Sequence, residues 1–250
     1  MLFRSTSNQF IKRIPFEIGQ LTSLHIIDLS INRMTGLIPQ ELGELSSLNE
    51  LDLSSNHLTG VIPNSLKNLS NLTILYLHEN QLLGSIPQEL GMLSSLSKLA
   101  LSSNNLMGVI PASFGNLRNL TTLYLYENQL SGSIPQELGM LSSLSDLELS
   151  SNNLMGVIPA SFGNLSNLTT LYLYENQLSG SIPRELGMLS SLSELELSIN
   201  NLTGAIPMSF GNLSKLSVLY LHMNQLSGSI PQEFGMVSSL KILSYHLTIS

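Results

Sequence analysis

Cysteine and tryptophan are both absent, and only 11% of the residues are charged. Without cysteine there can be no disulfide framework, no thiolate nucleophile and no cysteine-based zinc site, and thiols say nothing about the redox compartment. Basic residues are scarce too: 10 Lys and Arg stand against 17 Asp and Glu, a formal charge of -7. The bases are scattered, which excludes a nucleic-acid footprint, where Lys and Arg cluster against phosphates. No run of about 18 apolar residues could span a bilayer. The N-terminal stretch MLFRSTSNQFIKRIPFEIG lacks the apolar core and small-residue cleavage site of a signal peptide. A Gly-rich phosphate loop with its Lys, a strand-turn-helix Ser elbow and a kinase signature are missing as well.

What is present is a repeat. All ten prolines, from Pro15 to Pro231, stand 24 residues apart, each behind an Ile. Gly36 to Gly228 and Asn32 to Asn224 keep the same step. The unit reads LxxLxxLxLxxNxLxGxIPxxLGx, in nine full copies from Leu21 to Met236. Within it, LxL is a period-2 pattern that places Leu123 and Leu125 inward and Tyr124 and Tyr126 outward. One short strand per unit, stacked in register, predicts a parallel sheet on a concave face. The IPxxLG stretch would return along the convex side, where proline forfeits no ladder bond. The repeated Asn is expected to pair buried backbone groups at the turn, because an amide both donates and accepts. A longer period is overlaid: 93–140 and 141–188 differ only at Lys98/Asp146, Ala100/Glu148, Arg118/Ser166 and Gln136/Arg184. Units therefore alternate between an SSNNL and a YENQL type.

With GxIP after the Asn, the unit resembles the ectodomains of plant leucine-rich-repeat receptor-like kinases and their soluble relatives, over about nine tenths of the chain. The resemblance implies an α/β horseshoe, a right-handed leucine-rich-repeat solenoid with a concave parallel β-sheet and a convex side of short 3-10 and irregular segments. One domain over 1–250 is expected, with a partial first repeat at 1–20, nine repeats at 21–236 and a decaying last repeat at 237–250. There Tyr245 takes a strand Leu slot and Thr248 the Asn slot. The resemblance further implies a scaffold at the plant cell surface that binds a protein or peptide ligand, with a co-receptor kinase as a second candidate partner. It implies no cofactor, no metal, no nucleic-acid partner and no catalysis by these residues. Cys-paired caps, a membrane span and a kinase domain, usual in that family, are not in this sequence. The chain thus reads as an internal slice of a longer receptor, a truncated gene product or an open reading frame. A soluble inhibitor of a secreted cell-wall-degrading enzyme and a non-functional remnant are the alternatives.

Function in a solenoid belongs to strand positions that the core does not use. Between the strand leucines stand Tyr76, Tyr124, Tyr172 and Tyr220, and two residues later His78, Tyr126, Tyr174 and His222. Six of the seven tyrosines thus fall in two outward columns, where rigid rings with a hydroxyl suit partner binding. The same segments carry Asp28, Glu50, Asp52, Glu79, Glu127, Asp146, Glu148, Glu175, Glu194 and Glu196 against Lys98 alone, which would steer a basic or polar peptide to this face. The expected contact residues are Tyr76, His78, Tyr124, Tyr126, Asp146, Glu148, Tyr172, Tyr174, Glu194, Glu196, Tyr220 and His222. The acid pairs Asp146/Glu148 and Glu194/Glu196 share a face, but an open ladder is expected to expose both members to water equally, which argues against acid/base catalysis. His78 and His222 stand six units apart, and His25, His57 and His246 are isolated, so no metal site is expected. Candidate N-glycosylation acceptors are Asn68, Asn71, Asn119, Asn164, Asn167, Asn201 and Asn212.

Overall fold

The structure, a computed structural model, describes residues 1–245. Thr248 and His246 lie outside the described residues. Each repeat contributes a three-residue strand around an inward leucine, and these stack into an 11-stranded parallel sheet in chain order, from Leu2–Arg4 to Ile242–Ser244. Residue i lies opposite residue i+24, as in Leu123 against Leu147 and Tyr124 against Glu148. Sequence period and sheet register are therefore one quantity, and every column of the alignment becomes a row across the concave face. The partial repeats at both ends join this sheet, Leu2 opposite Ile26 and Leu219 opposite Leu243. Tyr245 packs partly buried against the core, as its Leu slot predicts.

The chain leaves each strand through a non-glycine residue in the left-handed region, for example Glu127 at φ 53 and Ser151 at φ 51. The Asn that follows holds the turn. The Asn152 amide donates to the carbonyls of Leu125 (3.0 Å), Leu149 (3.3 Å) and Ser150 (3.0 Å), and its Oδ1 accepts from Leu130 N–H at 2.9 Å. The expected pairing of buried backbone groups is met with both halves of the amide in use.

Beyond the Asn, the sequence predicted a return of short 3-10 and irregular segments. The 3-10 turns are there, but before them the stretch forms a second, 9-stranded parallel sheet, from Thr35–Leu37 to Gln225–Leu226. Its register is different: Met107 lies opposite Gln129 and Met155 opposite Gln177, an offset of 22 residues. Pro then starts a five-residue 3-10 turn, as in Gln136–Met140, where the Pro135 carbonyl accepts Leu138 N–H at 3.2 Å. Gly139 in that turn has no room for a side chain, since a Cβ would sit 2.5 Å from the Ser161 carbonyl oxygen of the next unit. Among the described residues there is no α-helix, and none that could cross a membrane. The core is a continuous stack of leucines and isoleucines, with Phe114, Phe162 and Phe210 filling the 3-10 slot in alternate units.

Candidate functional site

The concave sheet positions every predicted contact residue by register alone. Tyr124 and Tyr126 lie with ring centroids 6.2 Å apart, Tyr172 and Tyr174 6.4 Å, Tyr76 and His78 5.6 Å, and Tyr220 and His222 6.0 Å, the last two pairs edge to face. Such geometries suit the ring quadrupole. All eight rings are half-buried, and the strands on either side of Tyr172–Tyr174 carry the acid pairs Asp146/Glu148 and Glu194/Glu196. The face is a run of aromatic rows separated by polar notches: Glu50/Asp52, Lys98/Ala100, Asp146/Glu148 and Glu194/Glu196.

The notches have floors that the sequence did not predict. Ser54, Ser102, Ser150 and Ser198 sit on outward strand positions, yet Ser102 is 1%, Ser150 0% and Ser198 1% exposed. Their hydroxyls lie low between taller neighbours: Ser150 has Tyr126 on one side and Tyr174 on the other, as the ladder bonds Glu127 N–H to Ser150 O and Ser151 N–H to Tyr174 O fix. The signal was available, as a small residue alternating with an aromatic in one 24-residue column.

Hydrogen bonds link the acids to these floors. Ser30 donates to Asp28 at 2.8 Å, Ser54 to Asp52 at 2.6 Å and Ser198 to Glu196 at 2.9 Å. Ser150 breaks the pattern: its hydroxyl has no partner, and neither has His78 Nδ1. Glu79, Glu127 and Glu175 are at the strand exits and accept from Ser55, Ser103 and Ser151 at 2.6–2.7 Å. Tyr172 donates to the Glu194 carboxylate. Burial, then this bond and the carboxylates nearby, push the Tyr172 hydroxyl well above its usual range; burial and neighbouring acids also raise Tyr76 and Tyr124. These phenols stay protonated, and Tyr172 uses its proton in the bond to Glu194.

Two expectations need correction. Glu148 is half-buried and not freely hydrated: burial, followed by repulsion from Glu127, Asp146 and Glu196, pushes it up to about 7. Lys98 is also not the lone base of the face. Arg4 enters it from the first strand, opposite Asp28, and approaches Glu50 at 3.7 Å. The sequon asparagines Asn68, Asn71, Asn119, Asn164, Asn167, Asn201 and Asn212 are exposed. Asn71, Asn119 and Asn167 also donate to Ser46, Ser94 and Ser142 carbonyls of the preceding unit at 2.8–3.0 Å.

The leucine rich repeat family matches the chain over residues 22–82, 47–106, 94–154, 142–202 and 215–236. Among solved structures the chain is similar to the Arabidopsis receptor kinase HAESA in complex with the peptide hormone IDA and the co-receptor SERK1, at 34% identity and TM-score 0.93, covering 98% of this chain and 42% of that one. It is similar to the plant peptide hormone receptor RGFR1 in complex with RGF2, at 35% identity and TM-score 0.87, covering 98% and 43%. A plant ice-binding protein is 28% identical at TM-score 0.77, covering 97% and 80%. The chain thus spans less than half the length of the two receptors. No curated protein sequence matches it.

Proposed function

Because the chain belongs to the leucine-rich-repeat family, we propose that it is a peptide-binding segment of a plant cell-surface receptor, working outside the cell and holding its ligand against the concave face. The observation that carries this is the row structure of that face: aromatic pairs at Tyr76/His78, Tyr124/Tyr126, Tyr172/Tyr174 and Tyr220/His222, in register, with carboxylates between the last three. Half-buried rings and protonated phenols offer a ligand area and donors at little entropic cost. The similar receptors, solved with peptide hormones, support the same use of the scaffold. To test it, random dodecapeptides on phage are selected on the full chain and measured by calorimetry. Peptides that bind should lose at least tenfold in affinity when Tyr124, Tyr126, Tyr172 and Tyr174 are changed together to Ala, with little change in the unfolding midpoint. Peptides indifferent to these changes would place the contact surface elsewhere.

One observation favours a second function, ice binding: the similarity to the plant ice-binding protein extends over 80% of that chain. The strands of the second sheet, from Thr35 to Leu226, contain no Asp, Glu, Lys or Arg, and an uncharged, regularly spaced face suits a lattice. Thermal hysteresis in solution would establish it, and ordinary freezing with unhindered crystal growth would dismiss it.

A further inference from the structure

We propose that the notches Asp146/Glu148/Ser150 and Glu194/Glu196/Ser198 read a peptide in the polyproline-II conformation that carries a basic residue at every third position. This rests on the peptide-binding function above and specifies its ligand.

Spacing is the first argument. Neighbouring parallel strands lie about 4.8 Å apart, and the two notches fall on alternate strands, with Thr170–Tyr172 between them. Their separation is therefore about 9.6 Å. A polyproline-II chain has three residues per turn and rises about 3.1 Å per residue, so every third side chain returns to the same face after about 9.3 Å. A β-extended peptide repeats on one face after about 6.6 Å and would fall out of step at the second notch.

Chemistry agrees with the spacing. Each notch is walled by aromatic rows, Tyr124/Tyr126 and Tyr172/Tyr174 about the first, Tyr172/Tyr174 and Tyr220/His222 about the second. Rings of this kind accept proline faces and stack on guanidinium groups. The first notch also contains an independent sign of a missing partner. Ser150 is fully buried and its hydroxyl is unpaired, while Ser30, Ser54 and Ser198 each donate to the acid two residues earlier. A buried hydroxyl without a bond costs stability. A guanidinium entering this notch would donate to the Glu148 carboxylate and, once the flanking rings shift, to the Ser150 Oγ, and it would offset the burial and the repulsion from Glu127, Asp146 and Glu196 that push Glu148 up to about 7.

The reading frame also has an end. Two strands before Asp146 the equivalent positions are Lys98, which repels a third cation, and Ala100, which offers it no carboxylate. Since 93–140 and 141–188 are otherwise nearly identical, Lys98→Asp with Ala100→Glu rebuilds a notch that the fold already tolerates one block later.

The test is calorimetric titration of the full chain with capped Arg-Pro-Pro-Arg-Pro-Pro, its isomer Arg-Arg-Pro-Pro-Pro-Pro, and Gln-Pro-Pro-Gln-Pro-Pro. The first should bind at least tenfold more tightly than the second, and the third should not bind. Glu148→Gln with Glu196→Gln should weaken the first at least tenfold without lowering the unfolding midpoint. Lys98→Asp with Ala100→Glu should tighten Arg-Pro-Pro-Arg-Pro-Pro-Arg-Pro-Pro about tenfold. Equal affinity for the two isomers would reduce the face to diffuse charge and overturn the proposal. Phage-selected peptides that need the concave tyrosines but lack three-residue basic spacing would overturn the spacing alone and leave peptide binding in place. If no peptide binds, both fall.

Discussion

Glu148 shows how much one position on an open face can depend on its neighbours. Its carboxyl is pushed up from 4.5 to about 7, first by burial and then by Glu127, Asp146 and Glu196. Between pH 4.5 and about 7 the folded chain keeps a proton that the unfolded chain has released, so stability from this group falls as pH rises through that window. In a sealed site a shift of this size would be worth about 3 kcal/mol, but water at the rim screens it to about 1 kcal/mol. Glu148→Gln should therefore raise the unfolding midpoint by about 2 °C at pH 8 and leave it unchanged at pH 4, measured by calorimetric melting at both pH values. Equal gains at both would mean a packing effect without a proton. Asn152 is the opposite kind of residue, with every bonding site committed to backbone. Asn152→Ala leaves Leu130 N–H without its acceptor and takes one of two donors from the carbonyls of Leu125, Leu149 and Ser150, which keep Asn128, Asn176 and Glu127, at a cost of about 1–3 kcal/mol in urea unfolding. Asn152→Asp should be no better, because a carboxylate cannot donate to those carbonyls.

The elements divide by what holds them in place. In the 3-10 turn Gln136–Met140, Gly139 is required by contact, with the Ser161 carbonyl 2.5 Å from where a Cβ would be. Gly132, in the second sheet, is required by its φ of +73 and meets only the Val109 side chain. Backbone cannot yield as a side chain can, so Gly139→Ala should cost more than Gly132→Ala, about 3 against about 1 kcal/mol by urea midpoint. The reverse order would mean that the stack of 3-10 turns loosens easily. This difference also shows what the sequence could reveal. The first sheet was legible because its register equals the repeat length, so aligned residues such as Leu123 and Leu147 are also paired residues. The second sheet was not, because its offset of 22 is set by the left-handed exit at residues such as Glu127 and by the Asn turn behind it. The Asn itself repeats every 24 residues, but nothing in the sequence repeats at 22. The contact face was legible as columns of Tyr and acid. The buried floor at Ser150 left a fainter mark, a small residue alternating with an aromatic in one column, because a serine pointing outward is ordinarily wet and its burial depends on the repeats to either side.

At the scale of the molecule, each repeat touches only its neighbours, so stability approximates a sum of units and interfaces, and deletions test which interfaces match. Removing 141–188 takes out a whole 48-residue period and joins Met140 to Leu189, a junction between the same two unit types that already meet in the intact chain. The row of Tyr124 and Tyr126 then lies beside Glu196 and Ser198, and aromatic and small rows still alternate. This variant should fold cooperatively, with its urea slope reduced by about one fifth in step with the surface lost, and with one acidic notch fewer it should bind the doubly basic peptide more weakly. Removing only 141–164 deletes fewer residues and leaves every inward leucine with a neighbour, but it sets Tyr124 and Tyr126 directly against Tyr172 and Tyr174 with no serine row between them. Four bulky rings on adjacent strands of a concave face have less room than rings separated by a notch, and the SSNNL and YENQL turns no longer alternate. The shorter deletion should therefore have the lower urea midpoint. If the midpoints instead follow length alone, the alternation of rows carries no stability, and its persistence through the repeats would then be explained by the ligand that the notches receive.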